Sequence, residues 1–400
     1  MPHYDDVLFS NGSAFHLANV PAPRLTYGSE VEPESELATV LIQKAVALTA
    51  SKESRCSEKR TDPFPLVQPS SFRRSVLGNI LTPGAYCCSL KTDGVRSLLL
   101  LTQCEEGPIA VLIDRRMKIS RLEVWGDASF FNDSLFDGEV VVEESASVKR
   151  RDVFLVFDVY ACKGASHLLS DYSDRVRFYT DAILSCDAKR DDDAADMETT
   201  LAETGKMASP PSSCITIRSK PVAMDARLAT EVWNRRLITP HMNDGLVFTP
   251  NTIVLTKKPV FKWKTLHTVD ILFDASSESV YSASQGCIVP IEAMRVCGQK
   301  FSTFTFRSNA LSDAAFRDAK RRDAAAEAER CIFECTIDLS YNSETVTFTP
   351  IKERRDKFMP NSLYVTKETI ANVIENVRVG EFASSTNPSS SKQAKRSKRR

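Results

Sequence analysis

The sequence predicts an α+β protein of two domains, the first built on mostly antiparallel sheets with flanking helices and the second small and rich in strands. Three observations predict it. The chain has 400 residues, which suits two domains better than one. From Ala85 to Tyr160, short apolar runs broken by turns read as strands. After Asp274 the texture changes to short strands ("SVYSAS", "CIVPIEAMRV", "FSTFTFRS", "FECTIDLS", "ETVTFTPI") around one charged helix, Asp313 to Arg330.

Taken in order, residues 1–70 form an extension with one amphipathic helix, "SELATVLIQKAVALTAS", for which Ser35 is the candidate cap. A Ser/Pro/Arg-rich connector follows. "SLLLLTQ", "IAVLID", "DGEVVVEE" and "DVFLVFDVY" are the first strong strands, and the last is apolar enough to be central. "SDYSDRVRFYTDAILSC" reads as a helix with a Ser/Asp start. Residues 187–213, poor in apolar side chains, are expected to be a mobile acidic insertion. "MDARLATEVWNRRL" is helical, and "DGLVFTP" and "VFKWKTLHTVDILF" are strands. These readings place the first domain at 71–270 and the second at 271–382. Five short strands suit a small closed barrel of the oligonucleotide-binding (OB) type. Residues 383–400 are expected to be a disordered basic tail.

Lys plus Arg and Asp plus Glu number 52 each, so no global charge bias points to nucleic acid or membrane. Local charge is uneven: "SKQAKRSKRR" carries six basic residues in its last nine. The eleven cysteines are odd in number and include no C-x-x-C pair. They read as buried reduced thiols of an intracellular protein rather than a disulfide framework or a zinc site. No apolar run approaches the roughly 18 residues of a membrane span.

The chemistry-bearing stretch is "CCSLKTDGVRSLLLL", Cys87 to Leu101, where a lysine, a carboxylate and an arginine precede a leucine run. One K-x-D-G is weak evidence. Downstream, in order, come "FDGEVVV", "FLVFDVY", "NDGLVFTP", "VFKWKTLHTVDILF" and "ERRDKFMPN". Singly, each has a bland reading: a solvated strand end, Asp-Gly turns between strands, an alternating exposed face with Trp263 buried, a charged surface turn. Jointly they resemble the mRNA capping guanylyltransferases of the covalent nucleotidyltransferase superfamily, which also holds the ATP-dependent DNA and RNA ligases. The resemblance runs from about Pro83 to Asn361.

It implies a two-step reaction. A lysine amine attacks the α-phosphate of GTP and expels pyrophosphate, and the GMP then passes to the 5′-diphosphate end of RNA, forming the GpppN cap. A free lysine has a pKa of about 10.4, so nearby cations or desolvation must favour the neutral amine. Lys262 and Lys264, alternating on a strand, share a face and could crowd Lys91 and hold phosphate oxygens. By the resemblance, Lys91 is the nucleophile and Thr92 belongs to the nucleotide site. Arg96 contacts the ribose, and Arg115 does likewise or steadies the α-phosphate. Glu139 and Asp244 are the carboxylates for the nucleotide and for Mg2+ or Mn2+. Phe157 stacks on the purine, with Phe154 as the alternative register. Arg354, Asp356 and Lys357, in the R-x-D-K pattern, close over the nucleotide and orient the pyrophosphate.

The competing readings are an ATP-dependent polynucleotide ligase working through lysyl-AMP, and an inactive scaffold. "RRDKFMPN" and the Thr-Val-Asp after "KWK" resemble the capping version. No His-Cys-x5-Arg loop and no methyltransferase-like Gly-rich turn occurs. RNA triphosphatase and cap methyltransferase are therefore expected on separate chains, with the phosphorylated tail of RNA polymerase II as a further partner. A monomer in the nucleus is expected, and the basic tail reads as an import signal or an RNA contact.

Overall fold

A computed structural model describes residues 7–8, 24–49, 64–124, 128–145, 148–183, 214–256, 258–322 and 330–383. The insertion at 187–213 and the tail from 384 onward lie outside them. The architecture is mixed α/β with mostly sheet. Two compact units divide it: Met1–Ser70, Val76–Trp263 and Val379–Arg400 make the first, and Ser71–Ser75 with Lys264–Arg378 the second.

The first unit is built on two sheets. One runs in the order Val7–Leu8, Val222–Ala223, Tyr86–Thr92, Asn243–Pro250, Phe261–Lys264, Ser70–Ser71. The other runs Ala165–Ser166, Val148–Cys162, Cys214–Ser219, Arg24–Glu30, Ile119–Val124, Gly107–Asp114, Val95–Cys104, Ser134–Ser145, and the last of these also pairs with Val148–Cys162. Cys214–Ser219 and Val148–Cys162 pair parallel, and Tyr86–Thr92 with Asn243–Pro250 and Val95–Cys104 with Ser134–Ser145 pair antiparallel. The leucine run has a simple cause. Side chains alternate along a strand, and this one is buried on both faces. Leu99 and Leu101 pack with Phe154, Tyr172, Val176 and Tyr179. Leu98 and Leu100 pack with Ala38, Leu41 and Ala45 of the helix Glu36–Thr49. That helix is therefore part of the first unit's core, and Ser35 caps it, its hydroxyl accepting from Ala38 N at 3.1 Å. The thiols read as buried include Cys87, which burial pushes up to about 12, and Cys88 beside it; Cys287 and Cys297 are exposed.

The second unit holds a sheet in the order Cys287–Pro290, Ser279–Ser284, Thr268–Asp274, Arg330–Ser340, Thr345–Glu353, Thr303–Phe306, and a hairpin of Met294–Val296 with Gln299–Phe301. The hydrogen-bonded order has two ends, so among the described residues the expected barrel is not closed. Phe273, Phe301, Phe333 and Phe348 fill its core. The charged helix starts earlier than expected, at Ala310, because the Asn309 side chain caps it by accepting from Leu311 N and Ser312 N. It lies on the sheet through Phe316, edge-on to Phe333. Among the described residues no helix is long and apolar enough to cross a membrane.

Candidate active site

The Asp93-Gly94 turn passes the chain from one sheet of the first unit to the other. Lys91 and Thr92 end Tyr86–Thr92 on the first sheet, and Arg96 opens Val95–Cys104 on the second. Gly94 makes the turn possible. A Cβ there would stand 2.5 Å from Val140 O and 2.8 Å from Glu139 Cγ. Gly138 has the same reason: a Cβ would stand 2.4 Å from Phe154 Cζ. "FDGE" and "NDGLVF" are part of strands, as the sequence reading of "DGEVVVEE" and "DGLVFTP" expects, and not turns between them. They lie within the strands Ser134–Ser145 and Asn243–Pro250, and at Gly138 the glycine permits close approach between strands.

Two bulges aim side chains at the junction of the sheets. Asn243 pairs with Thr92 and Gly245 with Lys91, leaving Asp244 as the extra residue. Its Oδ1 accepts from Lys91 Nζ at 2.7 Å. On the second sheet, Asp137 pairs with Asp158 and Gly138 with Val156, leaving Phe157 as the extra residue. A bulge bends its strand and re-aims the side chain. Phe157 is thus half-buried, while Phe154 is fully buried in the core. Asp158 anchors the Phe157 bulge by accepting from Arg175 Nε at 2.7 Å and Nη2 at 3.0 Å.

Thr92 donates its hydroxyl to Glu139 and accepts from Lys220 Nζ at 3.0 Å. Lys220 also lies 3.5 Å from Glu139 and 5.4 Å from the Phe157 ring centroid. The sequence reading missed Lys220. It is only 6% exposed, and burial lowers its pKa; Glu139 opposes that shift and Lys91 adds to it. Lys220 is thus a neighbour of Lys91. No local signal marks it, because a lysine between two strands and before a proline reads as loop.

Lys262 and Lys264 alternate with buried Phe261 and Trp263, so they share a face as expected. Trp263 packs edge-on against Trp233 and Phe382. Lys262 sits on the strand next to the one bearing Asp244. Arg96 is engaged in the first unit. Its Nε and Nη2 donate to buried Asp137 at 3.0 and 2.6 Å, and its Nη1 donates to Val67 O. Burial opposes the guanidinium charge, and Asp137 more than restores it. Arg115 lies in the exposed turn after Gly107–Asp114; Asp114 pairs with Ser97, so that turn is at the same end of the sheet as Arg96. Arg354, Asp356 and Lys357 belong to the second unit. There Arg354 Nη1 donates to both oxygens of buried Asp270 at 2.9 and 3.0 Å and its Nη2 to Asp356 at 2.9 Å, and Lys357 also contacts Asp270.

Glu139 and Asp244 offer hard carboxylate oxygens. Two of these with substrate phosphates suffice for Mg2+, which seldom has an all-protein cage, so the donor set fits a divalent ion.

Residues 34–266 match the family model described as mRNA capping enzyme, catalytic domain, more than half of the chain. The match begins well before the first motif and ends close to the boundary between the units. Three relatives carry the name mRNA-capping enzyme subunit alpha. The Schizosaccharomyces pombe protein is 34% identical over 118 residues, 27% of this chain and 29% of that one. The Neurospora crassa protein is 28% identical over 220 residues, 51% of each. The Candida glabrata protein is 23% identical over 401 residues, 82% of this chain and 81% of that one. The chain thus spans about half or less of the first two relatives' lengths. Among solved structures, a mycobacterial DNA ligase D complexed with ATP and MES is similar at TM-score 0.35 and 13% identity, over 73% of this chain and 94% of that one. The bacteriophage T7 ATP-dependent DNA ligase in complex with ATP is similar at TM-score 0.30 and 12% identity, over 72% and 98%. At these scores the likeness to ligases carries no argument.

Proposed function

Because the chain belongs to the mRNA capping enzyme catalytic-domain family, we propose that it is an RNA guanylyltransferase, moving GMP from GTP through lysyl-GMP on Lys91 to 5′-diphosphate RNA. One observation carries this reading: the Lys91 amine meets Asp244 at 2.7 Å where Thr92, Glu139, Lys220 and the half-buried Phe157 ring converge.

In the first step the Lys91 nitrogen forms a bond to the α-phosphorus and the bond to the bridging oxygen of pyrophosphate breaks. The amine must lose a proton, and Asp244 is the acceptor within hydrogen-bond reach. Phe157 offers its face to the base. Lys220, beside that ring and bonded to Thr92, supplies a donor at the base's edge. Such a donor suits the carbonyl of guanine and not the amine of adenine. Glu139 and Asp244 would hold Mg2+ or Mn2+, which would supply neutralisation of triphosphate charge. Arg115, Lys262 and Lys264 are the further candidates for phosphate and ribose.

The second unit is read as an OB-type domain whose Arg354, Asp356 and Lys357 orient the pyrophosphate. In the second step the phosphoramidate bond breaks and a β-phosphate oxygen of the RNA takes the GMP. Partners in this reading are the RNA, triphosphatase and methyltransferase chains and a phosphorylated polymerase tail, with the work done in the nucleus and the basic tail serving import or RNA contact.

The test is labelling with α-phosphate-labelled GTP, or ATP in parallel, with magnesium and a denaturing gel, using Lys91→Ala as control. Label from GTP only, lost in the variant and released by pyrophosphate, supports the proposal. Label from ATP only makes the protein a ligase-type enzyme, and no label leaves a scaffold.

A further inference from the structure

We propose that Glu143 is a positioning residue that aligns the three segments carrying Glu139, Lys220 and Asp244; the catalytic meaning of this rests on the guanylyltransferase reading. Glu143 lies on Ser134–Ser145 four residues past Glu139, hence on the same face of the strand. Its side chain is only 1% exposed. Burying a carboxylate is costly unless it is paired and hydrogen-bonded, and two of the groups that face it come from two other segments.

Arg218 Nη1 donates to both carboxylate oxygens at 3.1 and 3.2 Å. Arg218 is in Cys214–Ser219, two residues before Lys220. His241 Nδ1 lies 3.6 Å from Glu143 Oε1, three residues before Asp244. That nitrogen is buried and has no hydrogen-bond partner, so it faces the carboxylate across a gap just beyond bonding distance. The turn that bears His241 is itself stiff. Asn243 Nδ2 donates to Thr239 Oγ1 at 2.7 Å and to His241 O at 2.9 Å. Met242 O accepts from Asp93 N at 3.0 Å, tying the turn to the one beside Lys91. A shift of this turn therefore moves Asp244 relative to Lys91. One buried charge sits where segments that only tertiary pairing brings together meet.

The experiment uses the full chain with Glu143→Gln and His241→Gln and two readouts. The first is the rate and KM of lysyl-GMP formation. Outer-shell partners of this kind are worth about 10–100-fold, so the rate constant should fall by about that much while KM for GTP changes far less. The second is acetylation of Lys91, read by peptide mass spectrometry against exposed Lys118. It should rise in the variants as Asp244 loosens its hold, with the melting curve still cooperative. If Glu143→Gln does not fold, His241→Gln decides. Unchanged Lys91 reactivity in a folded variant overturns the proposal. A rise in reactivity in a protein that takes no label from GTP sustains the positioning role and sinks the guanylyltransferase reading.

Discussion

Lys91 Nζ and Asp244 Oδ1 stand 2.7 Å apart, 153 residues apart in sequence, because a one-residue bulge turns Asp244 out of the pairing between Asn243–Thr92 and Gly245–Lys91. The amine and the carboxylate meet beside an irregularity of the sheet.

This relationship predicts unequal losses at its two ends. Lys91→Ala should abolish the covalent adduct. Asp244→Asn should retain it at a rate lower by about 100-fold, the scale of a lost proton acceptor. Single-turnover labelling with GTP checks both; an Asp244→Asn variant as fast as wild type would remove Asp244 from the reaction.

The two motif glycines should be intolerant of any side chain. An added Cβ at Gly94 meets a carbonyl oxygen at 2.5 Å, and one at Gly138 meets the buried Phe154 ring at 2.4 Å. Gly94→Ala and Gly138→Ala should each cost about 1–3 kcal/mol in urea denaturation, whereas Gly78→Ala, with nothing within 4 Å, should not.

Phe157 and Phe154, three residues apart, should separate binding from stability. Phe157→Ala should weaken GTP binding by about 1–3 kcal/mol, the range for base stacking on an aromatic ring, and barely move the melting temperature. Phe154→Ala should lower stability by about 3–5 kcal/mol. Equilibrium GTP binding and thermal melts on both variants decide; equal melting losses would mean that Phe157 is core.

Acid should weaken the second unit through Asp274. Hydrogen bonds from Ser276 and then Arg330 hold its carboxyl at about 2, below its ordinary 3.8, against the opposing effect of burial. A carboxyl depressed on folding contributes stability that is fully present above the unfolded value and is lost as pH falls through the folded one. Wild type should thus exceed Asp274→Asn in stability at pH 5, and the gap should close toward pH 2. A pH-independent gap in denaturant midpoints would contradict this.

The sequence by itself determined the local patterns: the order of the motifs, the strands around Lys91, the Lys262-Trp263-Lys264 alternation and the Ser35 cap. Each follows from neighbours a few residues apart, through side-chain periodicity and capping chemistry. It also made plain that a lysine in this company resembles a covalent nucleotidyltransferase site. It did not reveal that both Asp244 and Phe157 sit in bulges, since a bulge exists only relative to a partner strand. Nor did it reveal Lys220, which meets Thr92 across 128 residues, or Glu143, whose buried charge makes sense only once Arg218 and His241 are beside it. The strand reading of "DGEVVVEE" and "DGLVFTP" stands against the alternative of Asp-Gly turns. An Asp-Gly pair permits either, and close packing against Phe154 and pairing with Lys91 selected the extended form.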